Sequence, residues 1–489
     1  MINGRSSHVR EEKAGDMASE ELAENQETSE PPTTSSRMPR FLQPGPGLIR
    51  TASAVFWLMF AINVVNYLDR LVAAAVGPRL KAEFHFSDFQ YGALGTGFLL
   101  VYIVAGIPLG VLADRASRAK VIALGVLVWS FFSAATAFAR NVAELFVTRI
   151  GVGIGEASYY PAGTALLSEY YATKDRARIL SRWASGQIVG AVLAYGLSAL
   201  FLKLLDPDLA WRTLFLVTAL PGFALGVIMW FVADRPAKSP EERHEDTEAY
   251  QSGDEHANQH ATVKFEGGFN GFLQQVNKAL SIKTVRIVII IQAVYFVVTT
   301  PALFFLPLYL TAKNGPFHLD DATQALIIGV VGVFGGLTGV LLGGNVSDWL
   351  GKRFEGARVL IGAFGSAIAL PALVIALLTH SLPVFILCAT IAIAALYLQV
   401  GPLTAAVQDA TPPLLRSSAI AVTLLLSHLL GDIWATTGVG WISDKLGGEP
   451  GTALLIVGVP ALLLGIAVSW IGSRYYAAEA RERAQEVAS

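Results

Sequence analysis

Long apolar runs separated by short polar gaps recur along this chain, and they restrict its fold more than any other feature. A helix that crosses a bilayer needs about 20 mostly apolar residues, and about twelve runs of that kind are present. The first six lie near 52–77, 88–113, 119–138, 142–171, 177–203 and 211–233, and the second six near 285–312, 322–349, 358–378, 382–409, 416–443 and 452–473. Only 15% of the 489 residues are charged, against about 25% in soluble domains. We therefore predict an all-α polytopic membrane protein.

A polar stretch divides the runs into two sets of six. Residues 235–283 are too rich in charge to bury a core and are predicted to form a cytoplasmic linker. It would join an N-terminal bundle over 48–234 to a C-terminal bundle over 284–474. Residues 1–47 are expected to be a disordered tail and 475–489 a second tail. Lysine and arginine in the short loops favour a cytoplasmic location for both termini, in a plasma or inner membrane.

The second run of each half ends in the same motif. Gly110 precedes Asp114 by four residues, and Gly344 precedes Asp348 by the same number, each followed by a basic turn. This agreement indicates duplication, and parallel six-helix repeats place a substrate site between the halves near the midplane. An aspartate at a helix end can hold donors of a neighbouring helix, and arginines can bind carbonyl ends. A topological role alone would explain the basic residues but not the glycine and aspartate. The predicted gating residues are Gly110, Asp114, Arg115, Arg118, Asp348 and Arg353.

Several runs contain ionisable side chains, which are costly inside a bilayer and by default are paired and functional. The first run places five polar side chains on one helix face or its flank, namely Asn63, Asn66, Tyr67, Asp69 and Arg70. In the fourth run, Arg149 and Glu156 lie two turns apart, so their side chains should point the same way with about 20° of drift. We expect the charged groups of both runs to line one cavity.

These charges suggest proton coupling by Asp69, Arg70, Arg149 and Glu156. A neighbouring cation favours the charged form of a carboxylate, whereas burial favours its neutral form. A proton on Glu156 or Asp69 would release Arg149 or Arg70 to bind an anionic headgroup. The alternative is a static ion pair that fixes the first helix against the fourth.

A wider set of polar side chains is predicted to bind substrate in an otherwise apolar pocket. Its members are Asn63, Asn66, Tyr67, Tyr159, Gln187, Gln292, Tyr295, Thr299, Gln399, His428 and Asp432. His428 and Asp432 stand one turn apart, which would also suit a proton relay near neutral pH. Hydrogen bonding between helices explains the glutamines equally well, and a structural His–Asp pair and simple packing of Tyr159 remain alternatives.

Other classes of function are disfavoured. The chain contains no phosphate-binding loop, no His-Glu-x-x-His and no Gly-x-Ser-x-Gly, which argues against an ATP-driven pump or a hydrolase. Its single cysteine, Cys388, allows no intrachain disulfide and no site of paired thiolates. A net charge of −2 gives no reason to expect nucleic-acid binding. We expect no enzyme activity, no cofactor and no metal. The expected partners are a small-molecule or lipid substrate, protons and the lipid bilayer, and the protein is expected to be a monomer.

Two segments resemble the major facilitator superfamily: residues 110–120 resemble its signature loop, and Arg149, Gly153, Gly155 and Ala157 match its fourth-helix pattern. Within it, the strongest likeness is to the Spinster (Spns) lipid transporters, carried by residues 66–70, 153–159, 426–432 and 440–444. The first two of these segments are also similar to anion:cation symporters of sugar acids, so the last two discriminate. This chain departs from the Spinster pattern at 433–437, where a Ser-Pro pair is usual. In the fifth run, residues Gly186 to Gly190 replace the Gly-Pro signature of antiporters, which argues against a drug antiporter.

The resemblance implies a secondary carrier that works by alternating access between two six-helix halves. A lysophospholipid or sphingoid phosphate is the implied substrate, and the aspartate, arginine and glutamate of the first and fourth helices are the implied coupling site. The alternative is proton symport of a hydrophilic organic anion such as a sugar acid.

Overall fold

The computed structural model describes residues 39–43, 47–171, 173–233, 268–313, 315–412 and 415–488, which are almost entirely helical. Within these ranges, 11 helices are long and apolar enough to cross a membrane. The remaining crossing is the fourth, which is built from two shorter helices, Val142–Ala157 and Tyr159–Tyr170. The predicted twelve-helix membrane architecture is therefore confirmed.

The helix bounds agree with the apolar runs to within a few residues. A short 3₁₀ helix covers Arg40–Leu42. The first half contains Ala52–Ala75, Gly77–Phe84, Asp88–Arg115, Arg118–Thr136, Val142–Ala157, Tyr159–Tyr170, Thr173–Ala184, Gly186–Leu204 and Pro207–Trp230. The second contains Gly268–Ser281, Lys283–Thr311, Asp321–Gly351, Ala357–Leu378, Leu382–Tyr397, Val400–Ala410, Arg416–Leu430, Asp432–Lys445 and Pro450–Ala488.

We number the crossings as spans 1 to 12 in chain order. Spans 1 to 6 cover 52–75, 88–115, 118–136, 142–170, 178–204 and 207–230, and spans 7 to 12 cover 283–311, 321–351, 357–378, 382–410, 416–445 and 450–479. The helices are interrupted at Ser158 in span 4, Ser185 in span 5, residues 398–399 in span 10 and Gly431 in span 11. These interruptions occupy corresponding spans of the two halves, and discontinuous helices are typical of carrier binding sites.

Close approach of spans 1 and 5 depends on a glycine. A Cβ atom on Gly190 would lie 2.4 Å from the carbonyl oxygen of Val64 and 2.8 Å from the Cβ of Tyr67. A side chain at this position would therefore push span 1 away from span 5. Small residues commonly allow such contacts between helices in membranes.

Contacts between the halves concentrate at one face of the molecule, which we call the seal face. It carries the loops at 76–87, 137–141, 312–320, 379–381 and 446–449. Hydrogen bonds join the halves there: Asp88 and Phe89 bond to Asp444, Ser443 to Asp88, Gln324 to the carbonyl of Ala75, and Thr96 to Ile433 and Thr437. An ion pair between Arg79 and Asp321 also joins them. These bonds hold the two halves together at this face.

The opposite face, which we call the terminal face, carries an ion pair within each half. Arg118 at the start of span 3 pairs with Glu169 at the end of span 4, and Arg358 at the start of span 9 pairs with Asp409 at the end of span 10. The two pairs have the same separation of 51 residues. They are therefore equivalent contacts in the duplicated fold.

Two predicted polar segments contain helices. Gly268–Ser281 lies inside the predicted linker, whose residues 234–267 fall outside the described ranges, as does most of the predicted tail 1–47. The last helix continues to Ala488, through the predicted second tail. Glu479 accepts hydrogen bonds from the backbone N–H groups of Lys283 and Thr284, both at 3.0 Å. Glu479 therefore caps the first turn of span 7.

Candidate functional site

An ion pair joins spans 1 and 4 in the first half. The Arg70 guanidinium donates to Oε2 of Glu156 from Nη2 at 2.5 Å and from Nε at 3.0 Å. The Glu156 side chain is fully buried, whereas that of Arg70 is 23% exposed. The Asn66 side chain also faces this carboxylate, but Oε1 of Glu156 has no hydrogen bond of normal geometry among the described residues. One carboxylate oxygen is thus committed to the arginine, and the other can take a proton.

Aromatic rings surround the arginine of this pair. The guanidinium carbon of Arg70 lies 5.1 Å from the ring centroid of Tyr67, 5.3 Å from that of Phe98 and 5.1 Å from that of Tyr102. Rings at such distances attract a cation through their quadrupoles. Phe98 and Tyr102 of span 2 were missed by the sequence analysis, since aromatic residues in an apolar run are ordinary packing residues. Their spacing of four residues was the available signal, because it places both rings on one helix face.

Asp69 and Arg149 point instead into the interior of the first half. Arg149 is 5% exposed, donates to the hydroxyl of Thr136 at 2.8 Å, and lies 5.0 Å from the ring centroid of Phe215. Asp69 is fully buried and interacts electrostatically with Arg149. The hydroxyls of Thr218 and Ser133 face its carboxylate, which also interacts electrostatically with Glu156.

The expectation that Arg149 and Glu156 line one cavity stays a prediction, and the two side chains have different nearest partners. Spans 3 and 6 supply the partners of Arg149, whereas spans 1 and 2 surround Glu156 through Arg70. The long arginine side chain reaches the hydroxyl acceptor and the aromatic ring beside it. The two groups nevertheless interact electrostatically with each other, and Asp69 interacts with both.

The asparagines and Tyr159 are largely committed to packing. Asn63 donates to the carbonyl of Trp183 at 2.8 Å and is 1% exposed; Asn66 is 3% exposed. The Tyr159 hydroxyl donates to the carbonyl of Met59 at 2.9 Å and accepts from the Trp183 indole at 2.8 Å. These bonds fit the packing alternative for Tyr159, and its role in substrate binding stays a prediction. The neighbouring Tyr160 is exposed and stacks on Trp183, with ring centroids 5.2 Å apart.

A second titratable pair lies at the interruption of span 11. His428 Nδ1 is 2.8 Å from Oδ2 of Asp432, and the imidazole stacks on Phe296 with ring centroids 3.9 Å apart. Thr300 donates to the same aspartate oxygen at 3.3 Å. Asp432 is the first residue of its helix, where the helix dipole stabilises negative charge. The sequence-predicted pair is therefore formed, with span 7 supplying its surroundings.

The remaining predicted binding residues are uncharged. Gln292 accepts from Ser427 at 3.3 Å, and Thr299 donates to the carbonyl of Tyr295 at 2.8 Å. Tyr295 is buried and packs edge-on against Tyr397. Gln399 is buried at the interruption of span 10, and Gln187 is half-buried just after that of span 5. Spans 1 and 7 are in contact, which places the predicted residues of the two halves near each other.

The predicted gating residues have unequal surroundings. Arg118 forms its ion pair with Glu169, while Arg115 and Asp348 are exposed. The guanidinium of Arg353 lies 5.2 Å from the Trp349 ring. Gly110 is near Pro161, and a Cβ there would make an ordinary contact of 3.8 Å. The Asp114 side chain lies outside the described part of the structure.

Arg358, and not Arg353, takes the place of Arg118 in the second half. The sequence analysis missed Arg358, Asp409 and Glu169 because these residues stand at helix ends outside the repeated motif. Among the described residues, no group of three or more histidine, cysteine, aspartate or glutamate side chains is placed to hold a metal ion.

Comparisons with known proteins agree with this architecture. Residues 59–436 match the family model of the Major Facilitator Superfamily. Protein spinster of Drosophila melanogaster is 27% identical over 397 residues, which is 79% of this chain but 61% of that protein. A cis,cis-muconate transport protein of Acinetobacter baylyi is 26% identical over 417 residues, or 85% of this chain and 93% of that protein.

The fold also matches a solved structure. The crystal structure of a bacterial homolog to the human lysosomal transporter spinster, inward-facing and unoccupied, superposes with a TM-score of 0.68 at 23% identity, covering 88% of this chain and 97% of that one. The family match covers most of the chain, and the described spans form the expected duplicated helical fold. This chain therefore belongs to the Major Facilitator Superfamily and is a membrane transporter close to the Spinster proteins.

Proposed function

We propose that this transporter is a proton-coupled carrier of an amphipathic anion, and that the ion pair of Arg70 and Glu156 couples the two movements. The observation that carries the proposal is the geometry of this pair. Its carboxylate is fully buried, one carboxylate oxygen has no hydrogen bond of normal geometry among the described residues, and its arginine is partly exposed. A buried charge without a partner is costly, so Arg70 requires an anion at every stage.

Two anions can meet that requirement in turn. Glu156 pairs with Arg70 while it is ionised. A proton on Glu156 removes the negative charge and leaves the guanidinium available to an anionic headgroup. Arginine suits phosphate and carboxylate groups because its planar donors can bind two oxygens. Release of the headgroup then favours loss of the proton and return of the original pair.

An amphipathic substrate fits the unequal chemistry of the two halves. Arg70 stands among three aromatic rings, and the predicted binding residues of span 7 are uncharged. Spans 7, 10 and 11 carry lysine or arginine only near their ends. The site thus offers one cation beside mostly apolar and aromatic walls. A lysophospholipid or a sphingoid phosphate has the matching combination of one anionic headgroup and an apolar chain.

A hydrophilic organic anion is the second candidate. It is favoured by the likeness, over 85% of this chain, to a protein named as a muconate transporter. Symport of a sugar acid or a related carboxylate would use the same ion pair without a lipid chain. The two candidates differ in the surface that the substrate must bury.

The orientation follows from the basic loops. We propose that the terminal face is cytoplasmic, since the loops there hold Arg118, Lys120, Lys352 and Arg358. The seal face is then external, and the proposed orientation implies an inward-facing state of a monomer in a plasma or inner membrane.

Ligand binding and transport can be tested separately. Purified protein should be stabilised by a lysophospholipid or sphingoid phosphate and not by a sugar acid, because a ligand that binds the folded state raises its stability. In proteoliposomes, Glu156→Gln should abolish uptake driven by a pH gradient, whereas the exposed Arg182→Gln should not. Stabilisation by the sugar acid alone would select the second candidate. Undiminished pH-driven uptake by Glu156→Gln would remove this residue from the coupling mechanism.

A further inference from the structure

A third copy of the glycine–aspartate motif ends span 11. Gly440 precedes Asp444 by four residues, the spacing also found at Gly110 with Asp114 and at Gly344 with Asp348. The first two copies end at the terminal face, whereas the third ends at the seal face. The proposed transport mechanism assigns no role to this copy.

Asp444 completes the N-terminal cap of span 2, which belongs to the other half. The first N–H groups of a helix have no partner within the helix. A capping box supplies two of them: Gln90 N–H donates to the Ser87 hydroxyl at 3.2 Å, and Ser87 N–H donates to the Gln90 side chain at 3.0 Å. The N–H groups of Asp88 and Phe89 both donate to the Asp444 carboxylate, at 2.8 and 2.9 Å.

A second set of contacts allows two carboxylates to meet at this point. The Asp88 side chain is fully buried and forms an ion pair with Lys81. The Ser443 hydroxyl donates to Oδ2 of Asp88 at 2.6 Å. Lys81 therefore offsets the charge of Asp88, and Asp444 can approach the positive end of the span 2 dipole.

Glycine brings the two backbones into contact. A Cβ on Gly440 would lie 2.1 Å from the carbonyl oxygen of Asp88, and one on Gly92 would lie 2.3 Å from that of Thr436. Both clashes are with backbone, which cannot rotate away as a side chain can. Gly438, two residues before Gly440 on the same helix, has nothing within 4 Å of its added Cβ.

We propose that Gly440, Ser443 and Asp444 form a latch that keeps the seal face closed. When the halves separate at this face, the N–H groups of Asp88 and Phe89 lose their acceptor and the two backbones move apart. The latch thus sets how often the seal face opens during transport. These residues act through span 2 and are positioning residues for the transport cycle.

The test measures the opening of the seal face directly. Cysteines replace the exposed Arg140 and His380, which lie on seal-face loops of opposite halves, in a Cys388→Ser background. Spin labels on them report the distance across the face. Asp444→Ala should raise the ratio of long to short distances roughly fivefold, the usual effect of losing a helix cap. Gly440→Ala should act in the same direction, whereas Gly438→Ala should leave the distribution unchanged.

The outcome is decisive even if one variant folds poorly. A distance distribution for Asp444→Ala equal to that of the parent protein would overturn the proposal, as would equal effects of Gly440→Ala and Gly438→Ala. If Gly440→Ala does not yield monodisperse protein, Lys81→Met replaces it and should also lengthen the distances. The measurement needs neither substrate nor a pH gradient, so its result is independent of whether Glu156 couples protons.

Discussion

The ion pair of Arg70 and Glu156 should show a large energetic coupling in a double-mutant cycle. Removing one partner of a buried pair costs about 3–5 kcal/mol because the other charge stays buried and unpaired. Arg70 is 23% exposed and keeps three aromatic neighbours, so Glu156→Gln should cost less, about 2 kcal/mol. Arg70→Met leaves a fully buried carboxylate and should cost about 3 kcal/mol.

The double variant separates stability from function. With both charges absent, no unpaired charge remains, and the loss should stay near 2 kcal/mol, which gives a coupling energy of about 3 kcal/mol. Reversible unfolding of the purified variants in SDS measures the stabilities, and proteoliposome uptake measures the function. The double variant should still lack pH-driven uptake, because it has neither a proton acceptor nor a cation for the substrate.

The cycle has a clear opposite result. If the stability costs of the two single variants simply add in the double variant, the coupling energy between Arg70 and Glu156 is zero, and their ion pair does not contribute to stability. If the double variant keeps pH-driven uptake, the proton follows another route. Glu156→Gln alone should retain substrate exchange without a pH gradient, since the amide resembles the protonated acid; loss of exchange would show that the carboxylate is needed for binding itself.

The remaining predictions concern packing, capping and the repeated ion pairs. Gly190→Ala should lower stability and transport because its Cβ would meet the backbone of span 1, whereas Gly196→Ala on the same span meets nothing within 4 Å and should be tolerated in both assays. Asp320→Ala should cost about 1 kcal/mol of unfolding free energy through loss of a helix cap. Hydrogen bonds from Thr323 hold the pKa of Asp320 below its usual range. The stability that the Asp320 cap contributes is therefore present above about pH 4 and is lost as pH falls through the folded pKa. Measuring the unfolding free energy at several pH values would detect this loss. Glu169→Gln and Asp409→Asn should each cost at most about 1 kcal/mol; a much larger loss from one of them would show that the pairs are not equivalent.

The spans could be predicted from the sequence because the bilayer sets a length that the apolar runs must match. The helix interruptions could not be predicted from the sequence, because no local sequence signal marks all of them. Span 4 breaks at Ser158 and span 11 at Gly431. At Gly431 an added Cβ would lie 2.7 Å from the backbone of Ala293. Such breaks depend on the neighbouring helix. The helical extension through Glu479 was missed for the same reason, since its partner is the start of span 7.

The charged residues of the first half could be identified from the sequence, but their pairing could not. Helical spacing places Arg149 and Glu156 on one face, yet it carries no information on the partners that other spans supply. Thr136 and Phe215 contact Arg149 within the bundle, and among the described residues Arg70 forms the direct ion pair with Glu156. The predicted residues thus divide into an inner pair and a pair that contacts the aromatic rings of span 2.

Span 2 links the coupling pair to the proposed latch. Its middle supplies Phe98 and Tyr102 to the Arg70 guanidinium, and its first turn receives two hydrogen bonds from Asp444. A headgroup that draws Arg70 away from Glu156 changes the contacts of the same helix whose end the latch holds. Coupling between two sites requires a shared element with two arrangements that both sites bias. In the proposed cycle, span 2 is docked on Asp444 in one state and separated from it in the other, which is the structural part of that requirement. The substrate-dependent change in the distance between labels at Arg140 and His380 would measure how strongly Arg70 affects the choice between the two states.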